Sequence, residues 1–408
     1  MARVILGVGA GIAAYKACEL LRLFKEAGHS VRVIPTPDAL RFVGEPTWAA
    51  LSGEPVTTDV WTGVSGVPHV RLGQDADLVI VAPATADLLG RAAVGLSGDL
   101  LTATLLTARG PVVYAPAMHT EMWEHPATRH NVETLRARGA VVVEPAVGRL
   151  TGKDTGRGRL PDPAELFALA ERVIESAGGH RPSGPDAAPA LRGKRVLVSA
   201  GGTREELDPV RFLGNWSTGR QGYAFARSAV AQGASVTLVA ANVELPDPAG
   251  AKVIPVVSAR DMHAAMLAEA PQADIIVMTA AVADFRPVTR AGQKIKKDGA
   301  LPPPIELTEN PDILAGLSAR RAGPGPDRQV IVGFAAETDP DLTAARAKLA
   351  RKGSDFLVMN QVGAGQGFGA GDNEWVVLAA DGTVTPVPRR SKDALADFVL
   401  ALAVARPR

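Results

Sequence analysis

The sequence has a single cysteine, Cys18, among 408 residues, so neither an intrachain disulfide nor a cysteine-rich metal site can form. Such sparing use of thiols suits a reducing compartment, and a cytoplasmic protein is expected. Aromatic residues make up 4% and the formal net charge is +1. The chain therefore has little surface for stacking bases and no basic field, which excludes nucleic acid as the expected partner. Long apolar runs are also missing: none reaches the roughly 18 residues that a membrane span needs. The first fourteen residues are apolar with Arg3 near the start, superficially like a signal peptide. Gly7, Gly9 and Gly11, followed by Tyr15, Lys16 and Glu19, suit a strand, a turn and a helix better. What is present is ordinary: 46% apolar and 21% charged residues, with length enough for two or three packed domains.

Arg3–Val8 is a continuous apolar run, the pattern of a parallel strand buried on both faces. Ile12, Ala13, Leu20, Leu21 and Phe24 follow at helical spacing, and Gly28 ends the helix. Strands are predicted at Val31–Pro35, Leu78–Ala82, Val112–Ala115 and Val141–Val143. Between and after them lie helices at Thr85–Val94, Leu100–Thr107 and about Asn131–Arg138. Gly148–Arg159 is too rich in glycine and charge for a core element and reads as a mobile flap. A helix over about Ala164–Ser176 closes the first domain, and the Pro/Gly/Ser-rich stretch 178–191 reads as a linker.

The second half repeats the alternation, with strands near Arg195–Ser199, Ser235–Ala240, Ile275–Thr279, Val330–Ala335 and Phe356–Met359. Trp375–Leu378 and Thr383–Val387 flank Asp381-Gly382, a hairpin signal, and a last helix covers about Lys392–Ala403. The expected fold is α/β: two doubly wound, Rossmann-like parallel-sheet domains at 1–177 and 192–408. Ligands in such folds gather at the carboxyl ends of the strands.

Two openings of this kind carry glycine turns. Gly9-Ala-Gly11-Ile12 follows the first strand and could cradle a phosphate on the helix behind it. It lacks the dinucleotide fingerprint, since Ala14 stands where the third glycine belongs, so a mononucleotide is favoured over NAD. A two-Rossmann NAD(P) oxidoreductase, the competing reading, would need that glycine and an acidic ribose ligand. The second opening, Val196 to Gly222, runs from an apolar strand through Gly201-Gly202 and a polar loop to a helix starting near Thr218.

Val81-Ala-Pro83-Ala-Thr85-Ala-Asp87 and Tyr114-Ala-Pro116-Ala-Met118-His119-Thr-Glu-Met122-Trp123 both follow strands directly. Together with Gly11–Lys16 and Pro68-His69-Val-Arg-Leu they resemble the flavin-dependent phosphopantothenoylcysteine decarboxylases. The resemblance implies FMN, with Gly9, Gly11, Ile12, Thr36, Ala84, Thr85 and Met118 at the cofactor and His69 as the catalytic histidine. It implies oxidation of the cysteinyl moiety to a thioaldehyde, loss of CO2 to an enethiolate, and reduction to 4′-phosphopantetheine. A trimer with the flavin between subunits is implied as well. A flavin-holding regulatory scaffold without turnover is the alternative for this half.

Two positions depart from the family pattern. His119 stands where an asparagine amide holds the substrate carboxylate, a task an imidazole N–H can also perform. The flap has no cysteine to protonate the enethiolate, which leaves Thr151, Lys153, Asp154, Thr155 or water. Cys18, in the first helix, reads as a small packing residue.

The stretch Ala200–Gly222, then Ala280–Arg286, Lys294-Ile-Lys-Lys297, Glu309–Leu314 and Gly333–Thr338, resemble phosphopantothenate–cysteine ligase in the same order. The resemblance implies that Lys294 serves formation of the acyl-cytidylate from CTP and that Asn215 serves attack by the cysteine amine. It places Asp284, Lys294, Pro311, Asp312, Ile313, Leu314, Phe334, Lys348 and Lys352 at CTP. The physical need is for cations that neutralise a crowded triphosphate in the transition state. Lys348 and Lys352 lie one helical turn apart and can converge on phosphates. Mg²⁺ is implied with CTP, and no residue can be named as its ligand from sequence. The whole pattern resembles the bifunctional decarboxylase–ligase of bacterial coenzyme A synthesis, a homo-oligomer (trimeric decarboxylase contacts, dimeric ligase contacts, a dodecamer as one possibility) acting on 4′-phosphopantothenate, cysteine and CTP.

Overall fold

A computed structural model describes residues 1–61, 67–150, 154–178, 190–296, 304–321, 329–337, 342–361 and 372–405. The chain divides into two compact units. One is Met1–Gly193 with Val230–Ala234 and Asp247–Ala251; the other is Lys194–Ala229 with Ser235–Pro246 and Lys252–Arg408.

In the first unit, β1 (Arg3–Val8), α1 (Ala14–Glu26), β2 (Ser30–Pro35), α2 (Glu45–Ser52), α3 (Pro68–Asp75) and β3 (Leu78–Ala84) come first. They are followed by α4 (Ala86–Val94), α5 (Leu100–Thr107), β4 (Val112–Pro116), α6 (Thr120–Glu124), α7 (Pro126–Ala137) and β5 (Val141–Val142). The last elements are β6 (Ala146–Arg149), β7 (Thr155–Arg159) and α8 (Pro163–Gly178). The five-stranded sheet has the order β2-β1-β3-β4-β5, every pair parallel. All seven residues of β3 are buried, as a strand covered on both faces requires. In α1 the buried residues Ala14, Ala17, Leu20, Leu21 and Phe24 recur every three or four positions, and Phe24 meets Phe167 of α8 edge-on at 5.2 Å. A separate cluster joins Val79 and Val81 to Leu88, Leu101 and Trp123.

Local chemistry sets the helix starts. The Thr85 hydroxyl accepts from Leu88 N–H, and Asp99 and Thr102 form a reciprocal capping box ahead of α5. Helix α7 begins five residues before the predicted Asn131. Pro126 occupies its first position and the His125 ring accepts from Ala127 N–H, a start that hydrophobic spacing does not reveal. The stretch read as a mobile flap is a hairpin, β6 against β7.

In the second unit, β8 (Arg195–Gly201), β9 (Arg204–Glu206), β10 (Phe212–Gly214), α9 (Arg220–Ala231), β11 (Ser235–Ala241) and β12 (Ala251–Val256) lead. Then come α10 (Ala259–Glu269), β13 (Ile275–Met278), β14 (Phe285–Pro287), β15 (Leu307–Glu309), α11 (Ile313–Arg320) and β16 (Val330–Glu337). The unit ends with α12 (Leu342–Lys352), β17 (Phe356–Gln361), β18 (Asp372–Ala379), β19 (Val384–Ser391) and α13 (Lys392–Ala405). Its eight-stranded sheet runs β12-β11-β8-β13-β16-β17-β18-β19, parallel from β11 to β17 and antiparallel from β17 to β19. Gly382, at φ +93°, turns the β18–β19 hairpin where Asp381-Gly382 predicted one. Strand β12 lies at the sheet edge, where its Pro255 costs no central ladder bond. The β9–β10 hairpin and the antiparallel pair β14–β15, each with three-residue strands, stand outside the main sheet. Among the described residues, no helix is long and apolar enough to cross a membrane.

Candidate functional site

In the first unit the strand order reverses between β1 and β3, and a cavity of about 610 Å³ opens there. The loop after β1 contributes Gly11 and Ile12, the first turn of α1 contributes Tyr15 and Lys16, and the end of β3 with the cap of α4 contributes Pro83 and Thr85. Met118, His119 and Met122 come from beyond β4, and Arg149, Leu150, Arg159 and Leu160 from the β6–β7 hairpin and its exit. The hairpin is seated by backbone: Met118 N–H donates to Gly158 C=O at 2.9 Å, and a side chain at Gly158 (φ +154°) would collide with Met118 O. Glu144 holds the base of the hairpin between Arg136 (3.0 Å) and Arg157 (3.7 Å).

Gly11, Ile12, Thr85, Met118 and His119 thus meet around one space. Gly9 stands behind it: its N–H donates to Pro83 C=O at 2.9 Å, and a Cβ would approach that oxygen to 2.6 Å. Ala84 is fully buried in β3, and neither it nor Thr36 forms part of the lining. Thr36 follows β2 at the same edge, and its buried hydroxyl has no partner among the described residues. His69 is also away from the lining, in the first turn of α3. Its carbonyl accepts from the Thr107 hydroxyl at 2.7 Å, and its buried Nδ1 has no partner among the described residues. Asp154 and Thr155 are exposed on the hairpin and off the lining, while Thr151 and Lys153 fall outside the described residues. Cys18 is half-buried in α1 and off the lining, and burial pushes its thiol pKa up, which makes it a weaker acid than an ordinary thiol.

Motif reading did not single out Lys16, Arg149 or Arg159 as site residues. Burial, with Arg159 adding to it, lowers the Lys16 pKa against the opposing pull of Asp162 and Glu19. The lining therefore combines an apolar wall of Ile12, Met118, Met122, Leu150 and Leu160 with cations able to meet phosphate or carboxylate. A Cβ at Gly11 would meet nothing within 4 Å, and the orphan Thr36 hydroxyl lies at the neighbouring strand end. These features fit a phosphorylated planar cofactor.

In the second unit the order reverses between β8 and β13. Gly201 (φ +85°) makes the turn after β8, where any Cβ would collide with Ala241 O. Gly202 lies under Asn215, and a Cβ there would reach Asn215 O at 2.6 Å. The loop after β13 is fastened from several sides. The Thr203 hydroxyl accepts from Ala283 N–H (2.9 Å), and the Asn215 amide donates to Val282 C=O (3.2 Å). Asn310 donates to Ala283 C=O and, through its backbone, to Asp284 C=O, at 2.9 and 2.8 Å. This brings Asn215, Asp284 and the start of the Pro311–Leu314 motif to one loop cluster. Asp312 caps α11 by accepting from Ala315 N–H and pairs with Lys352 of α12. Burial would raise its pKa, but the Lys352 ammonium and the Ala315 amide hold it below the usual range. Lys348 lies one turn earlier on the same helix. Phe334 sits between Phe225 (5.6 Å) and Trp375 (6.3 Å), edge-on to both. Lys294 is exposed on the segment after β14. Thr203, Asp208, Arg211 and Arg286 are the ties sequence reasoning left without a role. The polar types were visible, but the partners that tie them to the loops after β13, β14 and β15 lie tens of residues away.

Residues 1–175 match the Flavoprotein family, and residues 191–406 match the DNA/pantothenate metabolism flavoprotein C-terminal domain. The coenzyme A biosynthesis bifunctional protein CoaBC of Mycobacterium tuberculosis (strain ATCC 25618 / H37Rv) is 57% identical over 98% of this chain and 95% of its own. The Bacillus subtilis (strain 168) protein of the same name is 43% identical over 95% of this chain and 93% of its own. A solved structure of the C-terminal domain of such a CoaBC protein is 35% identical, covers 53% of this chain and 97% of its own, and gives a TM-score of 0.45. This chain belongs to the bifunctional coenzyme A biosynthesis family.

Proposed function

We propose that the second unit joins 4′-phosphopantothenate to cysteine at the expense of CTP, and that the first unit decarboxylates the product to 4′-phosphopantetheine. The observation that carries this reading is the cavity at the β1/β3 switch point. There, three loops distant in sequence converge Gly11, Ile12, Thr85, Met118 and His119 with Lys16 and Arg159. Gly11, Ile12 and Thr85 would hold the phosphate end of FMN at the amino end of α1 and the Thr85 cap. FMN, when bound, would supply the two-electron oxidation that lets CO2 depart and the two-electron reduction that follows. His119, Lys16 and Arg159 offer N–H donors to the substrate's carboxylate and phosphate. His69 is assigned the catalytic imidazole of the oxidation. The proton returned to the enethiolate is assigned to Lys153, Asp154, a flap threonine (Thr151 or Thr155) or water.

In the second unit, Lys294 would neutralise the triphosphate as the substrate carboxylate attacks the α-phosphorus and pyrophosphate leaves. Asn215 would orient the acyl carbonyl for the cysteine amine. Asp284, Pro311–Leu314, Phe334, Lys348 and Lys352 are assigned to CTP. Mg²⁺ enters as the counter-ion carried in by CTP; among the described residues no group of three or more His, Cys, Asp or Glu could hold a metal. Domain limits of 1–177 and 192–408, with a 178–191 linker whose residues 179–189 lie outside the described set, complete the reading.

A homo-oligomer in the cytoplasm is part of the proposal, with trimeric contacts in the decarboxylase half, dimeric contacts in the ligase half and a dodecamer as one combination. Support for the dimeric contacts is the exposure of Val210, Phe212, Trp216, Phe285 and Leu307, all on or beside the two small antiparallel strand pairs. The test is incubation with 4′-phosphopantothenate, cysteine and either CTP or ATP, following pyrophosphate and CO2 separately. Pyrophosphate with CTP, then CO2 accompanied by anaerobic flavin bleaching, is expected. CO2-free turnover would leave only the ligase with a flavin scaffold.

A further inference from the structure

The segment that carries Lys294 has no core of its own. Lys294 and Lys296 are exposed, and Ile295 keeps 42% of its surface in solvent. Apolar burial therefore does not place it, and its position rests on polar ties to the turn between β9 and β10. Arg290 pairs with Glu206 at 2.6 Å, and Ala291 N–H donates to Leu207 C=O at 2.9 Å. Ile295 N–H donates to Asp208 Oδ2 at 3.1 Å, and the Arg211 guanidinium donates to Ile295 C=O.

Asp208 joins both sides of this arrangement. Its side chain is fully buried. Oδ1 accepts from Val210 N–H and Arg211 N–H, each at 2.8 Å, so the carboxylate shapes the turn. Oδ2 accepts from Arg211 Nε at 2.9 Å as well as from Ile295. Burial alone would raise its pKa, but the Val210, Ile295 and Arg211 amides and the Arg211 guanidinium hold it down to about 2, so it is an anion throughout the neutral range. The turn runs into β10, which ends one residue before Asn215, and Asn215 is itself tied to Val282. One buried carboxylate thus links the backbone next to Lys294 with the hairpin that delivers Asn215.

We propose that Asp208 is a positioning residue of the ligase reaction, fixing the Lys294 backbone relative to the hairpin that ends at Asn215. This rests on the assignment of Lys294 to acyl-cytidylate formation. In that step the carboxylate oxygen bonds to the α-phosphorus of CTP, the α–β phosphoanhydride bond breaks, and pyrophosphate leaves with the electron pair. An ammonium displaced by about an ångström loses most of its advantage there, a loss of about 100-fold in comparable cases. Asp208→Asn keeps the size of the side chain but removes the charge that holds Arg211 and Ile295.

The experiment uses the full chain with CTP and 4′-phosphopantothenate, without cysteine. It follows single-turnover pyrophosphate release in the wild type, Asp208→Asn and Lys294→Gln, together with amide hydrogen exchange across 290–296. Asp208→Asn is expected to slow release about 10- to 100-fold with KM for CTP altered far less. The Ile295 amide should exchange faster while β8 and β13 keep their protection. Release within twofold of wild type in Asp208→Asn, with Lys294→Gln inactive, would overturn the positioning role alone. An undiminished Lys294→Gln would overturn the reading beneath it. Where Asp208→Asn does not fold, Ile295→Pro removes the amide donor from an exposed segment and leaves the hairpin whole. The same slowing is expected there, and a wild-type rate would count against the proposal.

Discussion

The two units solve one problem in different materials. Each is a parallel sheet whose strand order reverses, and each gathers its candidate site at that reversal. In the first, the loops at the carboxyl ends of buried strands and a hairpin wall off a cavity. In the second, Asn215, Asp284 and Lys294 sit on exposed loops that side-chain-to-backbone hydrogen bonds hold in place. A flat, largely apolar ring system can be held by walls. A triphosphate needs cations on reachable, solvated segments, and such segments must be tied down by polar contacts because burying them would strip the charges of water.

This contrast can be broken by showing that the units do not act separately. The largest expected effect is from His69→Asn, which should lower CO2 release from supplied 4′-phospho-N-pantothenoylcysteine by about 10²- to 10⁴-fold and leave pyrophosphate release intact. Lys294→Gln should do the converse, slowing cytidylate formation by about 10²- to 10³-fold with CO2 release unchanged. Loss of both activities in either variant would mean that the two chemistries are coupled.

Smaller effects sharpen the comparison. Gly201→Ala forces a side chain into a left-handed turn against Ala241 O and should cost about 1–3 kcal/mol. Calorimetry should show the loss in the transition of the second unit only. Thr85→Ala removes the cap of α4 and should lower the stability of the first unit by about 1 kcal/mol, with FMN binding weakened several-fold in a fluorescence titration. The smallest effect is one of pH. Asp208 is depressed from 3.8 to about 2 in the folded state, so its contribution is fully present above pH 4 and is lost as pH falls toward 2. Acid unfolding of the second unit should be less steep in Asp208→Asn over that interval, whereas the first unit should titrate as in the wild type.

Legibility in the sequence followed the length and regularity of each element. Arg3–Val8 was readable to the residue, since six apolar-rich positions bounded by a glycine turn admit few other conformations. The β18–β19 hairpin was readable from Asp381-Gly382. The charged three-residue strand Arg204–Glu206 and its partner Phe212–Gly214 carry no periodicity to detect. Strand β12 was hidden by its proline. Gly11 and Gly9 look alike in the chain, yet one borders the cavity and the other packs against Pro83. His69 sits in a motif beside the flavin-site motifs but stands off the cavity within this chain.

By itself the sequence determined the alternation of strand and helix, the two glycine turns and the set of loops from which any site must be drawn. Those properties follow from side-chain period and backbone freedom over a few residues, so they are written locally. Only tertiary structure decided that Asp208 meets Ile295, 87 positions away, that Asn215 meets Val282, and that Lys16 and Arg159 share one cavity. Such pairings depend on strand register and loop path, which are settled by the packing of the whole sheet.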